Sequence, residues 1–96
     1  MFVRIARFEG GDLGDADKAI ERVRQMTQGE VPPGLEDAKR VLMLVDRESS
    51  RGLGLTFFES EEEMRRGDEA LNSMNPDGGA TRTSVEMYEV GLDQEL

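Results

Sequence analysis

Residues 38–64 read A-K-R-V-L-M-L-V-D-R-E-S-S-R-G-L-G-L-T-F-F-E-S-E-E-E-M, and the order of features in this stretch decides the fold. Ala38 to Arg47 reads as a strand, with Val41, Met43 and Val45 on one face and Leu42 and Leu44 on the other. Ser49, Ser50, Arg51 and Gly52 suit a short hairpin turn. Leu53 to Phe58 reads as its partner, with Leu53, Leu55 and Phe57 opposite Gly54, Thr56 and Phe58. Ser60 and Glu63 then have the spacing of a capping box, and Glu61 and Glu62 place negative charge at the positive end of the helix that follows. Both strands carry apolar residues on both faces. One layer of helices covers only one face of a sheet, so a second copy of the chain is the best candidate to cover the other.

Working outward, Phe2 to Glu9 is rich in β-branched and aromatic residues and stops at Gly10-Gly11, which predicts a first strand. Its alternation separates Phe2, Ala6 and Phe8 from Val3 and Ile5, with Arg4 and Arg7 one on each face. Asp15 is the expected N-cap of a helix, with Asp12 in competition. Ala16, Ala19, Ile20, Val23 and Met26 then follow one helical stripe, and Gly29 ends it as a residue tolerant of the left-handed conformation. Glu30 to Asp37, with Pro33-Gly34 as a turn, reads as a loop. In the second helix Met64, Leu71 and Met74 make a weak stripe with Gly67 or Asp68 in its gap and Ala70 at its edge. Asn75 to Ala80 ends that helix, and Thr81 to Val90 alternates as a last strand. The order strand, helix, strand, strand, helix, strand predicts an α+β, ferredoxin-like βαββαβ domain. Its four-stranded antiparallel sheet would carry both helices on one face. A single domain over residues 1–91 is expected, with a loose tail from residue 92.

Composition narrows the function. The 96 residues contain no cysteine and no histidine, which excludes disulfides, thiolate metal sites, a cysteine nucleophile and the side chain best suited to proton transfer near neutral pH. Twelve basic against 21 acidic residues give a formal net charge of −9, opposing both nucleic acid and anionic membrane surfaces. Arginines interrupt the first strand where a signal peptide needs an apolar run, and the longest purely apolar run, Val41 to Val45, is far too short for a membrane span. A cytoplasmic protein is expected.

The longer run V-P-P-G-L-E-D-A-K-R-V-L-M-L-V-D-R-E-S-S-R-G-L-G-L-T-F-F-E-S-E-E-E-M, residues 31–64, combines a Pro-Gly loop, a strand ending in Asp-Arg, a glycine-containing hairpin and an aromatic-Glu-Ser-Glu-Glu helix entry. It resembles the dimeric α+β barrel superfamily, especially its antibiotic-biosynthesis-monooxygenase-like branch. The resemblance implies a homodimer whose sheets close into a barrel, with a small pocket between each sheet and its helices. Relatives include cofactor-independent oxygenases of polycyclic aromatic substrates and haem-degrading enzymes. The haem degraders use a histidine from the second-helix region, an asparagine on the first strand and a tryptophan. This chain has no histidine and no tryptophan, its first strand has no asparagine, and Phe58 stands where relatives often show tryptophan. No haem or other cofactor is therefore expected.

Few residues remain to carry chemistry. Tyr88, the single tyrosine, could donate a hydrogen bond to a ligand oxygen, though a solvent-reaching strand residue is the simpler role. Asn72 and Asn75 near the end of the second helix could line a pocket mouth, or serve as caps. Arg4 or Arg7 could bind an anionic group, or pair with Asp46 or Glu86 across the sheet. The acidic run Glu59, Glu61, Glu62 and Glu63 is a capped, solvated helix start, since consecutive helical positions diverge, and no metal is expected. Met26, Met43, Met64, Met74 and Met87 read as core filler. Phe2, Phe8, Met43, Val45, Phe57, Phe58 and Met87 are candidates for pocket wall or dimer face. Three functions remain open: a homodimeric binder of a small apolar or aromatic ligand, a cofactor-independent monooxygenase, and a non-catalytic interaction scaffold.

Overall fold

The computed structural model describes residues 1–11, 15–29, 33–73 and 81–96. In chain order the elements are β1 (Phe2–Glu9), α1 (Ala16–Gln28), β2 (Arg40–Asp46), β3 (Arg51–Phe58), α2 (Glu61–Asn72) and β4 (Thr81–Glu89). The strands form one antiparallel sheet in the order β2-β3-β1-β4, the ferredoxin-like arrangement expected of the sequence.

Register assigns each side chain to a face, because partners in an antiparallel ladder share one. Val3 pairs with Phe57, Ile5 with Leu55 and Arg7 with Leu53, and Leu42 and Leu44 join them from β2. The other face holds Phe2 opposite Phe58 and Ala6 opposite Gly54, with Met43 and Val45 opposite Gly54 and Gly52. Both helices lie on this second face: α2 contacts β1 and β3, and α1 contacts β2. The core there is Leu35, Phe58 and Met64, with Phe2, Ala38, Ala70 and Leu71 packed around it. Phe58 is fully buried. Among the described residues, no helix lies over the face carrying Ile5, Leu42, Leu44, Leu53 and Leu55.

The weak stripe of α2 has a packing explanation. At Gly67 an added Cβ would collide with Cζ of Phe58 and sit 2.8 Å from its Cε1, so the aromatic ring lies directly on the helix backbone. One residue on, Asp68 receives Arg4 from β1 at 2.7 Å. The gap in the apolar pattern is thus occupied by a ring and a guanidinium. Gly34 serves a related purpose: its φ is +93°, and a Cβ there would meet Cβ of Ala70 at 2.6 Å. The loop therefore crosses α2 closely, with a backbone only glycine adopts cheaply.

Several local expectations are corrected. Gly29 does end α1, but with φ −90° and ψ −157°, so the chain leaves in an extended conformation and not a left-handed one. The hairpin turn lies at residues 47–50, with positive φ on Ser50. Because Ser50 takes that strained position, the turn is complete before Gly52, which is buried inside β3 opposite Phe8 and Val45. Only half of the capping box forms: Ser60 Oγ accepts from Glu63 N at 3.2 Å, while Glu63 Oε2 is buried without a hydrogen-bond partner. Asp15 caps α1, accepting from Lys18 N. Asp12, Met74, Asn75 to Ala80 and residues 30–32 of the expected loop lie outside the described residues.

A candidate ligand cleft on the helix side of the sheet

The register of β2 points Val41 and Met43 toward α1, opposite Thr56 and Gly54 of β3. On α1, Ile20, Val23 and Met26 recur at i, i+3 and i+6 and face them. Burial falls along this helix: Ala16 and Ala19 are buried, Ile20 and Val23 half-buried, and Met26 is 42% exposed. Small alanines bring the start of α1 close to the sheet, while the larger residues of its second half are left only partly covered. Between them lies an open cleft of ≈ 560 Å³, lined also by Leu35 and Leu71. That volume falls within the range of small-molecule sites, which are mostly apolar with a few placed polar groups. Thr56 supplies a hydroxyl in the wall, and Arg24, Lys39 and Arg40 are the charged lining residues, although the Arg40 guanidinium itself lies over Phe57 on the opposite face.

The candidate chemical residues divide between separate places. Arg4 and Asn72 come together: the buried guanidinium donates through Nε to Asp68 Oδ1 at 2.7 Å and through Nη2 to Asn72 Oδ1 at 2.9 Å. None of the three lines the cleft. Tyr88 lies on the opposite, helix-free face, where its hydroxyl donates to Glu86 Oε2 and Arg7 Nε donates to Glu86 Oε1 at 2.8 Å. These contacts hold the Glu86 carboxyl below its ordinary value, through the tyrosine hydrogen bond first and the arginine second. They raise the Tyr88 phenol and the Arg7 guanidinium, chiefly through their hydrogen bonds to Glu86. Arg7 therefore pairs across the sheet with Glu86, one of the two acids anticipated for it. The other, Asp46, pairs with Arg51 at 2.9 Å, and that bond together with those from Ser49 lowers its carboxyl.

Of the apolar candidates, Met43 lines the cleft. Val45 shares its face farther along β2. Phe2 and Phe58 belong to the core, and Phe8 lies over Gly54. Met87 pairs with Arg4 on the helix side and is 44% exposed. Phe57 lies on the helix-free face beneath the Arg40 guanidinium, 5.7 Å from its ring centre. Sequence reasoning did not single out Lys39, Arg24 or Thr56 for the site. Lys39 could have been found from parity alone, since it precedes Val41 and Met43 by even steps. Among the described residues, no three acidic side chains converge to hold a metal ion, and no helix is long and apolar enough to cross a membrane.

No protein-family model and no curated protein matches the sequence. Solved structures do share its fold. A Deinococcus radiodurans protein assigned by name to the antibiotic biosynthesis monooxygenases is similar over 100% of this chain and 98% of its own, with 12% identity and a TM-score of 0.61. The haem degrader MhuD of Mycobacterium tuberculosis, solved with two haems bound in its active site, is similar over 99% of this chain and 100% of its own, with 19% identity and a TM-score of 0.67. A mutant of MhuD with two manganese protoporphyrin IX per active site gives 19% identity, 99% coverage of each chain and a TM-score of 0.62. The residues here do not fit haem. Imidazole and thiolate are absent from the sequence, and the single phenol, Tyr88, faces away from the cleft, so the usual strong axial donors are missing from it.

Proposed function

We propose that this chain is a homodimeric small-molecule binding protein that takes an apolar or aromatic ligand between its sheet and its helices. The observation that carries the reading is the ≈ 560 Å³ cleft walled by Ile20, Val23, Met43 and Leu71. A site of this kind derives affinity from apolar burial, at roughly 25 cal/mol per Å² removed from water, and needs only a few polar groups to fix orientation. A methionine-containing wall adapts to ligand shape. The homodimer is supported by the helix-free face, whose leucines would otherwise remain partly in water. Native mass spectrometry of freshly purified protein, followed by a thermal-shift screen of small aromatic compounds, tests both parts. A dimer with retained ligand mass, or a rise in Tm with a subset of compounds, is the expected result. A clean monomer that no compound stabilises would end the proposal.

The shared fold with a protein named for antibiotic biosynthesis monooxygenation favours a second reading, cofactor-independent oxygenation within the same cleft. Anthrone plus dioxygen would give anthraquinone plus water, a reaction in which the substrate itself supplies the electrons. The protein would contribute a dry cavity and orientation. Oxygen uptake with anthrone and quinols is the test, and no uptake across the panel leaves binding alone.

A further inference from the structure

Cations are outnumbered in this chain, 12 Lys and Arg against 21 Asp and Glu, so carboxylate partners are plentiful. Most described cations do take one, as Arg47 takes Asp17 and Arg66 takes Asp37. Arg82 donates to the carbonyls that end α2, Arg40 stacks on Phe57, and Lys18 and Arg22 also have partners. Lys39 is the exception among the described residues: no hydrogen bond, ion pair or ring contact engages its ammonium. Its backbone N donates to Phe57 O at 2.8 Å, which ties it to β3 one residue before β2 begins. Lys39 lines the cleft. Arg24 reaches the same cavity from α1, and its carboxylate partner is Glu21, an exposed i,i+3 neighbour at 3.2 Å. Such exposed pairs are worth little and exchange readily for a better-placed anion. Among the described residues, every charged residue that lines the cleft is basic, on a chain whose net charge is −9.

We propose that the cleft selects an amphipathic monoanion: an apolar or aromatic body bearing one acidic group, with the acid held by Lys39 and Arg24 and the body against Val23, Met43 and Leu71. This rests on the cleft being the ligand site. The anion supplies the partner that the Lys39 ammonium lacks among the described residues, and the cation excludes neutral analogues only weakly, so selectivity comes from the difference between the two forms of one skeleton.

Fluorescence titration with anilinonaphthalene sulfonate and its uncharged parent, N-phenylnaphthylamine, separates the two claims. Both dyes are titrated into the full chain, into Lys39→Glu, and into Arg47→Glu, which makes the same charge change away from the cleft. Circular dichroism checks that each variant is folded. The expected result is an anionic-dye affinity about 10-fold weaker in Lys39→Glu, with the neutral dye within about 2-fold and Arg47→Glu unchanged for both. Equal effects on the two dyes, or an equal loss in Arg47→Glu, would overturn the anion selectivity and leave the cleft standing. Binding of neither dye to the unmodified protein would overturn both.

Discussion

At the scale of single residues, the interface between β1, β3 and α2 depends on what is missing at position 67. Glycine inside a helix ordinarily costs about 1 kcal/mol relative to alanine, so Gly67→Ala would stabilise an exposed helix. Here the added Cβ would overlap Phe58 Cζ and fall 2.8 Å from Cε1, and a ring with no exposed surface has nowhere to move. Overpacking of this kind costs about 1–3 kcal/mol, so Gly67→Ala is expected to lower stability in urea denaturation. In a Phe58→Leu background the same substitution becomes neutral or stabilising, which distinguishes the steric cause from a generic helix effect. Arg4 and Asp68 provide a second residue-level case. Their side chains are 4% and 18% exposed, so removing one partner leaves a poorly solvated charge, and Asp68→Ala should cost about 3 kcal/mol. The double substitution Arg4→Met with Asp68→Leu should cost less than Asp68→Ala alone. A strictly additive double mutant would show that the two residues are not coupled.

Elements explain which parts of this structure were legible. Alternation in β1, β2 and β3 gave the correct faces because the period of a strand is rigidly two and one slip would invert every side chain. Arg82 was not legible, since it reaches the helix side only after a bulge: Arg7 pairs with Ser84 but Phe8 with Arg82, leaving Thr83 as the extra residue. Its guanidinium then donates to Leu71 O at 3.1 Å, supplying the cation that the last turn of α2 lacks. The cleft was legible only as a general expectation. Its shape depends on how far the second half of α1 stands from β2, and a stripe of Ile20, Val23 and Met26 reads identically for a closed core and an open cleft. Between β1 and β4, the Arg7–Glu86–Tyr88 chain gives a pH prediction. Glu86 is held below its ordinary 4.5 in the folded state, mainly by Tyr88. Its contribution is therefore present above pH 4.5 and lost as pH falls through the lower folded value. Tyr88 is raised above 10.0 by Glu86, so its contribution is full below that pH and lost as pH rises through the folded value. Tyr88→Phe should move the Glu86 carboxyl upward in an NMR titration and leave Asp46, held by Arg51 and Ser49, where it was. An unmoved Glu86 would mean the phenol contact does not persist in solution.

On the scale of the whole molecule, the two faces of the sheet pose different physical problems. The helix face closes on Phe58, Leu35 and Met64 and leaves a cleft, whereas the other presents Ile5, Leu42, Leu44, Leu53 and Leu55 with no described helix over them. Apolar residues scattered singly on a surface need no partner, but a contiguous set on one sheet face does. On that face Arg7 and Tyr88 are matched to Glu86 and Arg51 to Asp46, so a second copy can approach without stranding these charges. Leu44 tests this directly. It is 44% exposed on edge strand β2, so Leu44→Glu should fold as a monomer with little change in its own stability. In a face-to-face dimer the same glutamate meets the partner sheet's leucines, and burying it unpaired costs several kcal/mol, enough to weaken the dimer by about 100-fold or more. Leu92→Glu makes the same chemical change on a residue 78% exposed beyond β4 and should leave association untouched. Sedimentation equilibrium of the three proteins at matched concentration reads the outcome. A dimer that Leu44→Glu dissociates and Leu92→Glu does not places the contact on this face, whereas a dimer indifferent to both would move the interface elsewhere.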